Sequence, residues 1–138
     1  VLMMSASKAR ELGLKPILEI KGFASGGLDP AYMGLGPVPA VRSALKKTGM
    51  KLGDIDMIEL NEAFASQAIG CMLELGIPVE LPNQVGSGIS IGHPIGCTGA
   101  RQVVSGMHLM QRDNKQTGLF SMCIGGGMGM AMIAERIG

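Results

Sequence analysis

The stretch S-M-C-I-G-G-G-M-G-M-A, at residues 121–131, joins two apolar runs through three consecutive glycines. The runs at residues 119–124 and 128–134 are typical of buried strands, so the glycines are expected to form the turn between them. Cys123 ends the first run, and glycine backbones can present bare N–H groups to a bound molecule. The stretch therefore offers a thiol and backbone donors within one turn. The alternative is a small core cysteine beside a tight hairpin.

The composition is that of one globular domain with a substantial core. The chain has 138 residues, 46% hydrophobic and 17% charged, with a formal net charge of +1. Basic residues are interspersed with acidic ones, and aromatic residues make up only 3% of the chain, so nucleic-acid binding is not expected. No apolar run reaches the roughly 18 residues of a membrane span, so no membrane association is predicted. Three cysteines without a disulfide spacing predict reduced thiols and a cytoplasmic location.

Strand patterns alternate with helix patterns along the rest of the chain. Residues 17–23 and 57–60 have the apolar patterns of strands, and a weaker pattern predicts another at residues 79–85. With the two runs around the glycines, these give five strands. The sequence therefore predicts an α/β fold, with a mixed, mostly parallel five-stranded sheet covered by helices and carrying an antiparallel edge.

Proline and glycine mark the ends of the intervening helices. Pro37 suits the first turn of a helix that ends at Gly49, and a second helix ends at Gly76. A third helix begins after Gly96, and its periodicity is expected to place Arg101 on the polar, solvent-facing side.

Three polar residues lie where α/β sheets usually place their active sites. Asn61, His93 and Cys123 all follow predicted strands or lie in the loops after them, and the carboxyl ends of strands are where α/β folds bind ligands. Each also has an ordinary explanation: Asn61 could cap a helix, and His93 could be a satisfied loop histidine. These alternatives stay open on residue patterns alone.

A metal site is not predicted. His93, Cys97 and Cys123 are residue types that bind zinc, but the sequence has no Cys-x-x-Cys pair and offers no evident fourth ligand. A phosphate-binding loop is not expected either, because the required Lys and Ser/Thr do not follow the glycines.

Several motifs together resemble those of the thiolases. They are N-E-A-F-A at residues 61–65, G-H-P-I-G-C-T-G-A-R at 92–101, C-I-G-G-G-M-G at 123–129, and D-P-A-Y-M-G-L-G-P-V-P-A at 29–40. They follow the family order, and the resemblance is to the C-terminal half of a thiolase. It implies that residues 15–138 form the C-terminal thiolase domain and residues 1–14 are the tail of the N-terminal half. The family fold consists of two similar layered βαβαβαββ halves.

The resemblance implies acyl transfer between coenzyme A thioesters, either condensing two acetyl-CoA to acetoacetyl-CoA or running the thiolytic reverse. These thioesters are substrates, and no cofactor is implied. The acylated cysteine would lie in the N-terminal half, which is therefore an expected partner, and a homo-oligomer is expected for the full-length protein. The alternative is a thiolase-like subunit that acts as a scaffold or carrier without catalysis.

The resemblance also assigns roles. Cys123 matches the cysteine that removes a proton from the second acetyl group, and His93 matches the histidine that activates the nucleophile and helps hold a thioester oxygen. Asn61 matches the residue that positions an oxyanion-hole water, and Gly125 provides the backbone N–H of the other oxyanion hole.

Met33 and Phe64 match positions that line the pantetheine channel. One departure concerns the loop before the G-H-P motif, where thiolases commonly carry N-x-N-G-G-A. Residues 83–89 read N-Q-V-G-S-G-I instead, so the loop that supports His93 is expected to differ, and the acyl-chain preference does not follow from the resemblance.

Overall fold

The computed structural model describes residues 1–138 and contains a four-stranded sheet between two layers of helices. The strands are β1 Leu18–Gly27, β2 Met57–Leu60, β3 Thr117–Gly125 and β4 Met128–Arg136, in the spatial order β1-β4-β3-β2. The α-helices are α1 Ala6–Glu11, α2 Pro37–Thr48, α3 Ala65–Leu75, α4 Gly88–Ile91 and α5 Thr98–Arg112, and Pro30–Leu35 and Leu52–Asp54 are 3₁₀ turns. The predicted α/β class is confirmed.

The glycine stretch forms the predicted turn of an antiparallel hairpin between β3 and β4. Gly125, Gly126 and Gly127 have φ values of 86°, 58° and 81°, which glycine adopts without steric cost. Cys123 pairs with Gly129, and a β-bulge separates Cys123 from Gly125. Bulges bend a strand and redirect its side chains, so the hairpin tip is an irregular end of the sheet.

The prediction of a mostly parallel sheet is wrong. Only β2 and β3 run parallel, whereas β1 and β3 both pair antiparallel with β4. The tight glycine turn makes β4 antiparallel to β3. The first strand then adds beside β4, at the edge away from β2.

The prediction of a fifth strand at residues 79–85 is also wrong. Residues 79–85 contribute one isolated parallel bridge, between Pro82 and Ile58. Prolines at 78 and 82 lack the N–H that a ladder needs, which explains why no strand forms. The side chain of Asn83, rather than a strand backbone, forms the hydrogen bonds to Leu60 at the end of β2, as described below.

The predicted helix boundaries at glycine are confirmed. α2 begins at Pro37, and the left-handed C-caps Gly49 and Gly76, with φ values of 71° and 70°, end α2 and α3. Both helices pack on one face of the sheet around a core cluster of 14 buried residues. The opposite face is covered by α5, with Met57, Met110, Phe120 and Ala134 buried beneath it.

Residues 1–14 carry the short helix α1, of which only Ala9 is buried. Val1, Leu2 and Met3 are 75%, 81% and 72% exposed, so this apolar segment covers little of the core. The boundary after residue 14 stays a prediction. No helix in the structure is long and apolar enough to cross a membrane.

Candidate active site

The parallel pair β2 and β3 brings two of the predicted site residues to one end of the sheet. Leu60 pairs with Ser121, and the Asn61 N–H extends the ladder by donating to the Ser121 carbonyl at 2.9 Å. Cys123 lies two residues further along β3. Asn61 and Cys123 therefore stand at the carboxyl ends of neighbouring parallel strands.

Their side chains belong to opposite faces of the sheet. Asn61 follows Glu59 by two positions, on the side covered by α5, whereas Cys123 follows Leu119 by four, on the side of α2 and α3. Cys123 is near enough to Cys71 of α3 to raise the pKa of that thiol. The bulge after Cys123 and the glycine turn end this alternation at the tip of the sheet.

His93 is held at the same end by the first residue of α5. Its Nδ1 lies 2.7 Å from Thr98 Oγ1, and the Thr98 hydroxyl donates its own hydrogen to the Pro94 carbonyl at 3.0 Å. Because the Thr98 hydroxyl hydrogen is used in the bond to Pro94, the Thr98 oxygen acts as the acceptor for His93 Nδ1–H. In this tautomer of the neutral ring, Nε2 keeps its lone pair. The start of α5 lies beside β3, since a Cβ at Gly99 would lie 3.6 Å from Met122 Sδ.

Asn61 does not cap a helix, because α3 begins at Ala65 with Phe64 as its N-cap. The Asn61 side chain is fully buried, and neither Oδ1 nor Nδ2 has a hydrogen-bond partner within the chain. A buried amide without a partner costs about 1–3 kcal/mol, so this side chain is poised for a group from outside the chain. The helix-capping alternative is therefore wrong.

Cys123 is half-buried, and burial raises the pKa of its thiol, with its own backbone N–H acting in the opposite direction. The backbone N–H, which favours the thiolate, thus has the weaker of the two effects on this thiol. Gly125, two residues later, is exposed, and a Cβ at this position would meet no atom within 4 Å.

The other two thiols occupy different environments. Cys71 is 0% exposed, its Sγ donates to the Gly34 carbonyl at 3.3 Å, and burial raises its pKa to about 11. Such a thiol is inert near neutral pH. Cys97 is exposed at the N-cap position of α5. All three cysteines are free.

Met33 lines an open cleft of about 330 Å³ between the Pro30–Leu35 turn and the first turn of α3. Tyr32, Ser66 and Gln67 also line it. Phe64 stands at the adjoining N-cap of α3 with 62% of its surface exposed. The two residues predicted to line a channel therefore belong to neighbouring elements at one open surface.

No hydrogen bond joins Asn61, His93 and Cys123 to one another. The structure brings them to one end of the sheet without direct contact. A second depression, of about 460 Å³ beside Gln116 and Arg136, is at the opposite end and holds none of the predicted site residues. No group of three or more His, Cys, Asp or Glu side chains is arranged to hold a metal ion.

The family model described as thiolase, C-terminal domain, matches residues 14–136. This chain belongs to the thiolase family. It is 50% identical to the acetyl-CoA acetyltransferase of Syntrophomonas wolfei subsp. wolfei over 139 residues, covering 99% of this chain and 35% of that protein. It is 51% identical to the 3-ketoacyl-CoA thiolase of Bacillus subtilis over 135 residues, covering 98% of this chain and 34% of the relative.

The crystal structure of the Bacillus anthracis acetyl-CoA acetyltransferase has the same fold, with a TM-score of 0.94 and 46% sequence identity. The match covers 97% of this chain and 34% of that one. The chain spans about a third of the length of these relatives. The resemblance to the C-terminal half of a thiolase is confirmed.

Sequence reasoning missed four polar residues around Asn61 in this thiolase domain. They are Glu59, Asn83, Ser87 and Arg101. Arg101 was predicted to face solvent, but all three of its guanidinium nitrogens are buried, so that prediction is wrong. A detectable signal was Glu59, a lone acid inside the apolar strand M-I-E-L, because charged residues are rarely buried without a partner.

Proposed function

We propose that this chain is the C-terminal catalytic half of an enzyme that transfers acyl groups between coenzyme A thioesters. The reaction is the condensation of two acetyl-CoA to acetoacetyl-CoA, or its thiolytic reverse. The proposal is supported by the membership in the thiolase family and by relatives named acetyl-CoA acetyltransferase and 3-ketoacyl-CoA thiolase. One structural observation supports it: Asn61, His93 and Cys123 all lie at the same end of the sheet.

His93 is the group whose geometry argues most directly for catalysis. Thr98 holds the ring by accepting a hydrogen bond from Nδ1–H, so Nε2 is the free acceptor. An acceptor nitrogen of this kind takes a proton from a thiol as a general base. The thiol is that of a cysteine in the N-terminal half, which then attacks the carbonyl carbon of the first thioester and releases coenzyme A as the leaving thiol.

Cys123 acts on the second substrate. As a thiolate it removes a proton from the α-carbon of acetyl-CoA, and the resulting carbanion attacks the acyl-enzyme carbonyl. The carbon–carbon bond forms as the bond between the acyl group and the nucleophilic cysteine breaks. Because burial raises the Cys123 pKa in this chain, a polar group from the N-terminal half or the substrate must favour the thiolate.

Oxygen atoms that gain negative charge in these steps need hydrogen-bond donors. Asn61 Nδ2 is a buried donor without a partner, which suits a water or oxyanion at this position. The Gly125 N–H at the glycine turn is the proposed hydrogen-bond donor of the second oxyanion hole. The Met33 cleft beside Phe64 is the proposed path of the pantetheine arm.

The assembly and location of the enzyme are part of the proposal. Acetyl-CoA, acetoacetyl-CoA and coenzyme A are the small-molecule partners, and the N-terminal half is the protein partner, within a homo-oligomer. Three free cysteines support a reducing, cytoplasmic location. A scaffold or carrier would not need His93 with its fixed tautomer.

The test uses the full-length protein that contains this chain and measures thiolysis of acetoacetyl-CoA by coenzyme A. His93→Ala is expected to lower kcat by about a hundredfold or more, because general-base catalysis typically contributes that much. His108→Ala is the matched control, since His108 is exposed on the outer side of α5. A full-length protein without thiolysis, or a His93→Ala variant as active as the control, would overturn the proposed function.

A further inference from the structure

A cluster of buried polar side chains without partners lies beneath the candidate active site. It consists of Glu59, Asn61, Ser87 and Arg101, and we call it the buried polar cluster. Eight of its side-chain atoms have no hydrogen-bond partner, and they are the two oxygens of Glu59, both polar atoms of Asn61, the Ser87 hydroxyl and the three guanidinium nitrogens of Arg101. No other residue in the structure has such an atom.

Several observations place these four residues close to one another. Glu59 and Asn61 are two positions apart and share the α5 face of the sheet. Gly88, next to Ser87, lies close to Asn61, because a Cβ there would be 3.1 Å from Asn61 Oδ1. Arg101 precedes Gln102, whose Nε2 donates to the Glu59 carbonyl at 3.2 Å.

The Glu59 carboxylate and the Arg101 guanidinium interact electrostatically. The Arg101 charge lowers the Glu59 pKa and so favours the carboxylate, although burial dominates and raises that pKa to about 7. The two groups form no direct hydrogen bond. Buried charged groups need hydrogen-bond partners, and a water molecule is the group small enough to bridge them inside a closed chain.

We infer that Glu59 and Arg101 are positioning residues that hold Asn61 in place through enclosed water molecules. Glu59 contributes to the buried polar cluster from β2, and Arg101 contributes from α5. The bridging water donates to Glu59 and accepts from Arg101, and the same network reaches the Asn61 amide and the Ser87 hydroxyl. The inference rests on the proposed function, because Asn61 is a site residue only in that reaction.

The loop before His93 is part of this arrangement. Gly88 has no Cβ, and one at that position would lie 2.5 Å from the Glu62 carbonyl, so the loop approaches Asn61 closely only with glycine there. Ser87 then adds a buried hydroxyl to the cluster. The altered loop therefore supplies a polar wall to the buried polar cluster.

The first experiment measures kcat and KM for thiolysis in the full-length protein carrying Glu59→Gln or Arg101→Lys. We expect kcat to fall about ten- to a hundredfold with KM changed less than about twofold, because misplaced site groups lower the rate more than ground-state binding. Leu109→Ala is the matched control, since Leu109 is buried in α5 away from the cluster and its loss should lower the melting temperature but not kcat.

The outcomes separate the two proposals. A wild-type protein without thiolysis would refute the proposed function. An active wild type with Glu59→Gln as fast as wild type, or with Leu109→Ala slowed equally, would refute the positioning role. The second experiment needs no activity: a high-resolution crystal structure of the full-length wild type is expected to hold ordered water between Glu59 and Arg101. A direct ion pair with no intervening water would overturn the inference.

Discussion

The side-chain amide of Asn83 satisfies both backbone groups of Leu60, the last residue of β2. Oδ1 accepts from the Leu60 N–H at 2.9 Å, and Nδ2 donates to the Leu60 carbonyl at 2.7 Å and to Glu62 Oε1 at 3.0 Å. One amide thus replaces the neighbouring strand that the prolines prevent. The position of Asn61, the next residue, depends on this side chain.

Asn83→Gly is expected to lower the free energy of unfolding by about 2–4 kcal/mol, because two buried backbone groups lose their partners. Glycine keeps the backbone relaxed, since Asn83 has a φ of 57°. Asn114→Gly is the matched control: Asn114 has a φ of 51°, but its side chain accepts only one exposed hydrogen bond, from Arg136. Chemical denaturation of both variants measures the difference, and equal losses would contradict the role of the Asn83 amide.

Local signals in the sequence were sufficient to predict much of this fold. The glycine turn and the helix ends at Gly49 and Gly76 were correct because each depends on a few neighbouring residues. The sheet order was not predictable in the same way. That β1 adds beside β4 follows from packing between distant segments, which no short pattern encodes.

The candidate site was predictable to the extent that its residues follow strands. Asn61 and Cys123 lie at strand ends as expected. The burial of Arg101 was not predictable, because helical periodicity assigns a charged residue to the solvent side unless its partner is known. The amide of Asn83 was missed for a related reason, since a side chain that replaces a strand leaves no periodic pattern.

Glu59 predicts a pH dependence of stability. Burial raises its pKa from the ordinary value of 4.5 to about 7, with Arg101 opposing and Glu62 adding to the rise. A pKa that is higher in the folded state means that the folded protein binds the proton more tightly. Stability from this group is therefore fully present below about pH 4.5 and is lost as the pH rises through about 7, by an amount on the order of 3 kcal/mol.

Glu59→Gln is expected to remove this dependence, so the difference in melting temperature between wild type and variant should change from pH 5 to pH 8. Glu74→Gln is the control, because Glu74 is an exposed carboxylate with a side chain 57% accessible. The measurement is thermal unfolding of the full-length protein at both pH values. The same difference at the two pH values would show that Glu59 does not titrate in this range.

Cys123→Ala is expected to abolish condensation and thiolysis in the full-length protein while the nucleophilic cysteine can still be acylated. The reason is that Cys123 acts on the second substrate, whereas acylation needs only the other cysteine and His93. Mass spectrometry of the intact protein after incubation with acetyl-CoA should detect the added acetyl group. Cys97→Ala, at an exposed thiol, is the control with normal turnover. Normal turnover in Cys123→Ala would remove Cys123 from the mechanism.

The isolated 138-residue chain is expected to self-associate. Ile89 and Ile91 on α4 are 62% and 54% exposed, and Ile95 in the loop after α4 is 85% exposed. Leu73 on α3 is 75% exposed. Apolar patches beyond a few hundred Å² mark interaction surfaces, and the N-terminal half is the proposed cover. Light scattering and binding of a dye for apolar surfaces measure this. Serine at the three isoleucines should reduce both signals, and a monomer that binds no dye would contradict the prediction.

The isolated chain is also expected to have no thiolysis activity, because covalent catalysis needs a thiol positioned against His93. None of the three present fills that place. Cys71 is buried with its pKa raised to about 11, and Cys97 is four residues from His93, on the loop that must hold the ring. Cys123 is already assigned to proton transfer.

The assay is acetoacetyl-CoA thiolysis by the purified chain, first alone and then with the N-terminal half added in trans. Activity that returns only with the added half would locate the nucleophile there. Turnover by the chain alone that disappears on Cys97→Ala would instead identify Cys97 as the nucleophile. That result would require the loop between His93 and Thr98 to bend the exposed thiol back toward Nε2, against the 2.7 Å hydrogen bond that now fixes the ring.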